Sequence, residues 1–371
     1  MRILFTCGGT AGHINPAIAL ARMFQSRHQD CQVLFAGADN GMERTLVPHE
    51  GYELRTVHVN TIHRAWKWKD IKHNVMTVLT LPHARRQAKA ILREFRPDLV
   101  VGTGGYASYP VVKEAARMGI PTAVHESNAV PGLTTKLLSK VTDRVLVGFE
   151  DSRKYYPHPE RVVVTGTPVR RDFFDHTRQE AKAELGVEDG CPLVLSYWGS
   201  LGAEQMGRYT ADFIQRELSE GSPFRHIHGA GRNYQWLTGE LERRGLDLGE
   251  RVEVREYIYD MPLVMDAADL VICRAGASTI SELTAVAKPC ILIPSPNVTN
   301  NHQEKNARVL EQHGAAVVLL EPETDGGELY QTAKELLDHP ERRTAMSQAL
   351  SDLSVTDAAE EIYNVLISLL R

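Results

Sequence analysis

Short apolar segments recur along the chain and alternate with segments of helical periodicity. The apolar segments predict strands at 2–6, 32–36, 53–59, 98–101, 122–124, 162–164, 193–197, 225–228, 251–255, 270–273, 290–293 and 315–319. Between them, apolar residues at helical spacing predict helices such as 42–48, 234–243, 278–287 and 303–312, and a helical C-terminal end. Because strands that alternate with helices form parallel sheets, the pattern predicts an α/β fold with doubly wound sheets.

The segment 61–90 breaks this rhythm because it mixes apolar and cationic residues. Trp66 and Trp68 stand there among Lys67, Lys69 and Lys72. Tryptophan rings lie at headgroup level in membranes, where lysines meet anionic lipid, so the segment suits a membrane interface. An amphipathic helix packed on the sheet explains the same pattern equally well.

Composition limits the classes of protein to consider. The length of 371 residues suits two domains, each with its own core. The net charge of -5 argues against a general nucleic-acid binder. No apolar run reaches the ~18 residues of a membrane span, and the chain begins with a strand instead of a signal peptide. The five cysteines include no CxxC pair and are expected to be reduced core residues, which predicts a cytoplasmic protein: Cys7, Cys31, Cys191, Cys273 and Cys290.

Three glycine-rich turns follow predicted strands in the N-terminal half. CGGTAGHINP spans 7–16, GTGGYASYP spans 102–110 and HESNAVPG spans 125–132. The backbone N–H groups of such turns can bind a diphosphate, and three turns at one sheet edge predict a broad polyanion site. The first turn is not a dinucleotide GxGxxG motif, and it lacks the lysine of a Walker loop.

His13 lies in the first of these turns. Asn15 as cap and Pro16 as first helical residue predict that a helix begins there, with His13 just before it. A histidine in that place suits a general base near neutral pH or a hydrogen-bond donor to phosphate. A structural histidine that bonds a neighbouring backbone carbonyl is the alternative.

The stretch 267–307 combines a strand, a turn, a helix, a second strand and a polar loop in one nucleotide-binding unit. The turn at Gly276 opens a helix whose free N–H groups suit a phosphate. Glu282 could accept two ribose hydroxyls, but Thr279 to Glu282 also match a capping box, which short motifs of this kind more often form. The amide-rich run 297–306 then suits a sugar, whose hydroxyls need both donors and acceptors.

These motifs resemble those of the MurG-type glycosyltransferases. CRAGASTISE with PSPNVTNNHQEKNA is similar to the donor-sugar signature of that family, and the three glycine-rich turns are similar to its N-domain signatures. TGTPVR at 165–170 resembles the family's GNPVR junction, WGSLGA at 198–203 its GGSxGA turn, and EYIYDM at 256–261 its segment beside the uracil. Threonine replaces the asparagine of the junction, and Trp198 replaces the first glycine of the turn.

The resemblance implies a GT-B glycosyltransferase fold, in which two Rossmann-like, doubly wound α/β domains face a cleft. It implies an N-terminal acceptor-binding and membrane-associating domain at 1–165 and a C-terminal UDP-GlcNAc-binding domain at 166–350. A helix at 351–371 is expected to cross back to the N-terminal domain.

The implied activity is that of an inverting transferase. It moves N-acetylglucosamine from UDP-GlcNAc to the C4 hydroxyl of the muramyl sugar of lipid I and gives lipid II for peptidoglycan synthesis. The expected partners are UDP-GlcNAc, the lipid-linked muramyl-peptide acceptor, an anionic membrane surface and other wall-synthesis proteins, with no nucleic acid. The expected location is peripheral, on the cytoplasmic face of the cell membrane. Because the chain has no Asp-x-Asp pair, we expect no metal or other cofactor.

Two other functions fit parts of the sequence. A UDP-GlcNAc 2-epimerase would share the fold and the nucleotide but needs no lipid acceptor. A non-catalytic UDP-sugar binding protein would keep the donor loop, yet it has no use for three polyanion turns.

The resemblance also assigns site residues. His13 is the first choice of catalytic base and Glu126 the second. The acceptor diphosphate is assigned to Gly12, His13, Gly104, Gly105 and Tyr106. The donor is assigned to Thr10, Asn128, Arg170, Ser200, Ile258, Ala277, Ser278, Thr279, Glu282, His302 and Gln303. His302 stands where the family more often has glutamine.

Overall fold

The chain forms two units of dense internal contact. The computed structural model describes residues 1–59, 68–199, 203–298, 301–355 and 357–370, with side chains at all of these except 11 and 68–79. Contacts divide the chain into one unit of Met1–Val169 with Val355–Arg371 and a second of Arg170–Ser354. We call them the N-terminal unit and the C-terminal unit.

The N-terminal unit is built on a parallel sheet in the order β3-β2-β1-β4-β5-β6-β7. The chain order reverses between β1 and β4, and ligands of open α/β sheets bind at such a switch point. Its elements are β1 (Arg2–Thr6), α1 (Ala11–Arg27), β2 (Gln32–Ala38), α2 (Glu43–His49), β3 (Leu54–Val57), α3 (Trp68–Phe95), β4 (Leu99–Gly102), α4 (Ser108–Arg117), β5 (Thr122–Glu126), α5 (Leu133–Leu138), β6 (Arg144–Val147) and β7 (Val162–Val164).

The C-terminal unit repeats this plan with the order β10-β9-β8-β11-β12-β13, again parallel. Its switch point lies between β8 and β11. Its elements are α6 (Arg178–Glu184), β8 (Leu193–Tyr197), α7 (Glu204–Glu220), β9 (Arg225–Gly229), α8 (Tyr234–Arg243), β10 (Val252–Arg255), α9 (Met261–Ala267), β11 (Leu270–Cys273), α10 (Ala277–Ala285), β12 (Cys290–Leu292), α11 (His302–Gln312), β13 (Val317–Val318), α12 (Gly326–Asp338) and α13 (Pro340–Leu353).

The central strands are apolar along their whole length because helices cover both faces of each sheet. All four residues of β4 and of β11 are buried. Phe5 on β1 stacks on Phe35 of the neighbouring strand, with ring centroids 5.6 Å apart, and also contacts Phe24 of α1. The apolar runs therefore reflect burial on both sides, which is why they were readable from the sequence.

The last helix, α14 (Ala358–Ser368), belongs to the N-terminal unit and packs against α1. Ile362 and Leu366 are fully buried there. The ring of Tyr363 lies 4.9 Å from that of Phe24, and its hydroxyl lies 2.8 Å from Nε2 of His28. This packing completes the apolar layer on one face of the N-terminal sheet.

One predicted helix start and one predicted alternative, the capping box in α10, are wrong. Helix α1 begins at Ala11 instead of Pro16, so His13 lies in its first turn. Pro16 has no N–H to donate. The turn before it is held by the N–H groups of His13 and Ile14, which donate to the Thr10 carbonyl. Helix α10 begins at Ala277, one residue before its predicted start. Thr279 is its third residue, so no capping box forms at Thr279 to Glu282.

Within the segment 61–90, the structure shows a helix from Trp68 onward, which is the first part of α3. Trp66 and Lys67 lie outside the described residues, as do the side chains of Trp68, Lys69 and Lys72. In the ranges that the structure covers, no helix combines the length and apolar character needed to span a bilayer.

Candidate active site

The first two glycine-rich turns of the N-terminal unit meet at the sheet edge beside the switch point. Gly104 and Gly105 have φ angles of +113° and +83°, which favour glycine. A Cβ at Gly105 would overlap the carbonyl of Gly8, and one at Gly104 would stand 2.5 Å from Cδ2 of His13. The two turns are therefore in direct contact, and only glycine permits the approach.

His13 is held by hydrogen bonds at its ring and at its backbone. Nδ1 lies 2.9 Å from the carbonyl oxygen of Gly8, and the Thr103 hydroxyl donates to the His13 carbonyl at 2.6 Å. Because a carbonyl only accepts, Nδ1 carries the proton in this contact, and Nε2 of the neutral ring holds the lone pair. The carbonyl contact predicted as a structural alternative thus exists, and it leaves Nε2 in the form that a base needs.

Glu126 ends β5 and organises the third turn. It is 4% exposed, and its carboxylate accepts from the side chain of Asn128 at 2.8 Å and from the backbone N–H of Gly132 at 2.9 Å. These donors use both carboxylate oxygens, so the geometry suits a residue that holds the turn better than one that takes a proton. The preceding His125 donates from Nε2 to the Gly166 carbonyl, and burial lowers its pKa.

The remaining predicted residues of this unit occupy the same edge. Thr10 is exposed at the N-cap of α1, and its hydroxyl lies 3.4 Å from Nδ1 of His13. Gly12 lies in the first turn of α1. Tyr106 is half-buried against the apolar layer beneath α4. The structure therefore brings Thr10, Gly12, His13, Gly104 and Gly105 together around one loop pair.

The turn before α10 forms the corresponding edge of the C-terminal unit. Gly276 caps the helix without any side-chain hydrogen bond, which leaves the first N–H groups of α10 to other partners. The buried hydroxyl of Ser278 has no hydrogen-bond partner in the described part of the chain. A helix N-terminus together with a buried hydroxyl suits an anionic, hydroxyl-rich ligand.

Glu282 lies one and a half turns into α10. Burial raises the pKa of its carboxyl to about 7, while the nearby Arg170 opposes the rise. Arg170 itself is about half exposed and pairs with Asp172 at 3.3 Å. Since the capping box does not form, the Glu282 carboxyl is not used to cap α10.

The polar loop after β12 is tied to the same edge. The side-chain carbonyl of Gln303 accepts from the Ser295 N–H at 2.9 Å, and Asn306 donates to the Ala275 carbonyl at 3.3 Å. His302 opens α11 beside Gln303. Sequence reasoning missed the role of Asn306, which is fully buried and links α11 to the Gly276 turn.

Ile258 and Trp198 border the other side of the C-terminal sheet edge. The Ile258 side chain is 5% exposed and packs where a Cβ on Gly229 would be 3.0 Å from its Cδ1. Trp198 is buried, and its indole N–H donates to the Thr210 hydroxyl at 2.8 Å. The indole is therefore anchored on α7. Ser200 lies outside the described residues.

Two further residues were missed from the sequence. Arg274, between β11 and the Gly276 turn, donates to the Ile293 carbonyl at 3.0 Å and pairs with Glu321 at 2.6 Å. Glu43 is fully buried beneath the first glycine-rich turn. Arg274 could have been identified from the sequence, because it is a cation next to a glycine turn. Glu43 could not, because a glutamate in a helical segment is ordinary.

Comparison with known proteins covers nearly the whole chain. The family model described as Glycosyltransferase family 28 N-terminal domain matches residues 3–147, and the one described as Glycosyltransferase family 28 C-terminal domain matches 197–362. The UDP-N-acetylglucosamine--N-acetylmuramyl-(pentapeptide) pyrophosphoryl-undecaprenol N-acetylglucosamine transferase of Acetivibrio thermocellus is 40% identical over 377 residues, with 100% of this chain and 99% of its own length covered. The protein of the same name from Thermoanaerobacter sp. strain X514 is 42% identical over 369 residues, with 100% of each chain covered.

A solved structure shares the fold. The crystal structure of MurG from Acinetobacter baumannii has a TM-score of 0.80 at 23% identity, with 99% of both chains covered. This likeness confirms the expected GT-B fold. The full-length identities go further, and the chain belongs to the family of the UDP-N-acetylglucosamine--N-acetylmuramyl-(pentapeptide) pyrophosphoryl-undecaprenol N-acetylglucosamine transferases.

Proposed function

We propose that this protein transfers N-acetylglucosamine from UDP-GlcNAc to the C4 hydroxyl of the muramyl sugar of lipid I, which gives lipid II. One observation carries the proposal: relatives whose names state this transfer match the chain from end to end at about 40% identity. The glycine-rich turns, the start of α10 and the polar loop described above suit the two substrates of this transfer.

Most of the proposed donor residues lie in the C-terminal unit, and two of them, Thr10 and Asn128, lie in the N-terminal unit. The N–H groups that open α10 and the guanidinium of Arg170 suit the diphosphate, because both stabilise anionic oxygens. Glu282 accepts the ribose hydroxyls, and the backbone of Ile258 contacts the uracil. The amide and hydroxyl groups near the sugar come from Ala277, Ser278, Thr279, His302 and Gln303, with Ser200, Thr10 and Asn128 completing the proposed donor set.

The acceptor and the base are assigned to the N-terminal unit. The acceptor diphosphate is bound by the loop pair of Gly12, Gly104 and Gly105 with Tyr106. Nε2 of His13 takes the proton of the C4 hydroxyl as that oxygen attacks the anomeric carbon from the face opposite UDP. The bond from the anomeric carbon to UDP breaks, UDP leaves with the electron pair, and the configuration inverts. We assign no metal to this step, since positive groups of the chain itself meet the leaving diphosphate.

The acceptor is a lipid, so the proposal includes peripheral binding to the anionic cytoplasmic face of the membrane. Trp66 and Trp68 with their neighbouring lysines are the proposed contact. A groove of about 520 Å³ between α3 and α4 supports it, because its lining has one carboxylate, Glu114, which pairs with Arg85, and five cations: Arg85, Arg86, Lys89, Lys113 and Arg117. Such a surface attracts anionic headgroups.

Replacement of His13 tests the proposal. His13→Ala should lower kcat for transfer from radiolabelled UDP-GlcNAc to lipid I by roughly 100-fold or more, since it removes the base. His49→Ala is the matched control, because the His49 side chain is 82% exposed. Binding of UDP-GlcNAc by calorimetry should be unchanged in both variants. An effect of His13→Ala on KM alone would contradict the assignment of the base.

A further inference from the structure

A buried carboxylate lies beneath the loop that precedes α1, the helix that carries His13. Glu43, the first residue of α2, is fully buried in the N-terminal unit. Its Oε2 accepts from the backbone N–H of Gly9 at 3.0 Å, and its Oε1 accepts from that of Ala38 at 2.7 Å. Burial of a carboxylate is unfavourable unless charge-assisted hydrogen bonds compensate it, so these two N–H groups are held firmly in place.

Three glycines leave the space that this carboxylate fills: one in the loop after β1, one near the end of β2 and one in the loop after β2. A Cβ on Gly8 would be 2.5 Å from Oε1 of Glu43, and a Cβ on Gly37 would be 2.5 Å from its Cγ. A Cβ on Gly41 would overlap the carboxylate itself. The loop after β1 and the loop after β2 are therefore both shaped around one side chain.

The Gly8–Gly9 peptide group connects Glu43 to the histidine. Its N–H donates to Oε2 of Glu43, and its carbonyl accepts from Nδ1 of His13 at 2.9 Å. A peptide group is planar, so a bond that fixes the direction of its N–H also fixes the direction of its carbonyl. The carboxylate thus sets the acceptor that keeps the proton on Nδ1 and the lone pair on Nε2.

We propose that Glu43 is a positioning residue for His13, which orients the Gly8–Gly9 peptide and thereby fixes the tautomer and the ring direction of the histidine. Glu43 reaches no substrate, since it has no exposed surface. The catalytic consequence rests on the proposed role of His13 as the base. The effect on the tautomer does not depend on that role.

The test reads the tautomer directly. Long-range proton–nitrogen NMR spectra of protein labelled at histidine distinguish Nδ1–H from Nε2–H, and His13→Gln identifies the His13 signal. The wild type should show the Nδ1–H form. Glu43→Gln presents an amide NH₂ to one of the two backbone N–H groups, so the loop shifts and His13 should gain the Nε2–H form. Glu43→Asp keeps the charge and should restore part of the Nδ1–H form.

Activity gives the second readout. Glu43→Gln should lower kcat by on the order of 10-fold or more. The Kd of UDP-GlcNAc should change less than kcat, because among the proposed donor residues only Thr10 lies in the loop that Glu43 holds. Glu53→Gln is the matched control, since Glu53 is 62% exposed and contacts Arg55. If Glu43→Gln does not fold, Gly41→Ala displaces the carboxylate without removing it and should produce the same change of tautomer.

The outcomes separate this inference from the proposed function. A wild-type His13 in the Nε2–H form, or an unchanged tautomer in a folded Glu43→Gln or Gly41→Ala protein, would overturn the positioning role even if transfer is observed. A change of tautomer in these variants supports the positioning role even if the wild type transfers no sugar, in which case the proposed function fails by itself.

Discussion

At the scale of single residues, Glu282 shows how a ligand site acts on the stability of the free protein. Burial raises the pKa of its carboxyl from 4.5 to about 7. A carboxyl whose folded-state pKa lies above its unfolded value contributes most to stability below pH 4.5. That contribution is lost as the pH rises through 7, where the buried group must ionise.

Glu282→Gln removes this titration. The variant should be stabilised relative to the wild type by about 2 kcal/mol more at pH 8 than at pH 5, because the wild type carries a buried charge only at the higher pH. Urea unfolding at both pH values measures the difference, with the exposed Glu204→Gln as control. The same variant should bind UDP-GlcNAc more weakly at pH 8. An equal stabilisation at both pH values would show that Glu282 titrates normally.

Some properties of single residues could not be predicted from the sequence. His13 and Glu282 were identified as candidates from their neighbours in the chain. The protonated nitrogen of His13 was not predictable, because it depends on the Gly8 carbonyl, whose direction is set by Glu43 in another helix. Hydrogen bonds between residues distant in sequence leave no periodic signal.

At the scale of elements, the contact between the two glycine-rich turns should be sensitive to one methyl group. Gly105 and Gly119 both have positive φ angles, so Gly→Ala at either position introduces backbone strain. Only at position 105 does the new Cβ meet backbone, that of Gly8. At Gly119 nothing described lies within 4 Å of it.

Gly105→Ala should therefore lower the free energy of unfolding by at least about 1 kcal/mol more than Gly119→Ala and should abolish transfer. Gly119→Ala should retain transfer, with a loss of about 1 kcal/mol from strain. Denaturant unfolding and the transfer assay measure both effects. Equal losses in the two variants would mean that the turns do not need their close approach.

Element boundaries were the weaker part of the prediction. The positions of β1, β8 and β11 follow from apolar runs that the sheets bury on both faces. Helix starts depend on local capping, which several residue patterns satisfy. The sequence pattern predicts that α1 begins at Pro16, whereas the helix contains this proline in its interior. The pattern at Thr279 resembled a capping box, while the box that does form, between Thr177 and Glu180, was missed.

At the scale of the whole molecule, alternation of strands and helices was sufficient to predict the α/β class, because burial and periodicity act along the entire chain. The family assignment needed the order of motifs as well. The strand β6, which lies beside β7 in the N-terminal sheet, was missed, although its segment RVLV is no shorter than the predicted strand β7.

The proposed membrane binding depends on the surface of the whole molecule. Liposomes that contain anionic lipid should retain the wild type and should retain less of a Trp66→Ala/Trp68→Ala variant, because the proposal assigns the interfacial contact to these two rings. Cosedimentation measures this, with uncharged liposomes as control. Equal retention of both proteins would remove these tryptophans from the contact.

The most direct measurement for the central claim is the release of UDP from UDP-GlcNAc with and without a lipid-linked muramyl acceptor. Transfer to the acceptor predicts that UDP appears only when the acceptor is present, in step with the disaccharide lipid. UDP release at the same rate without acceptor, or donor binding with no release when acceptor is present, would contradict the account.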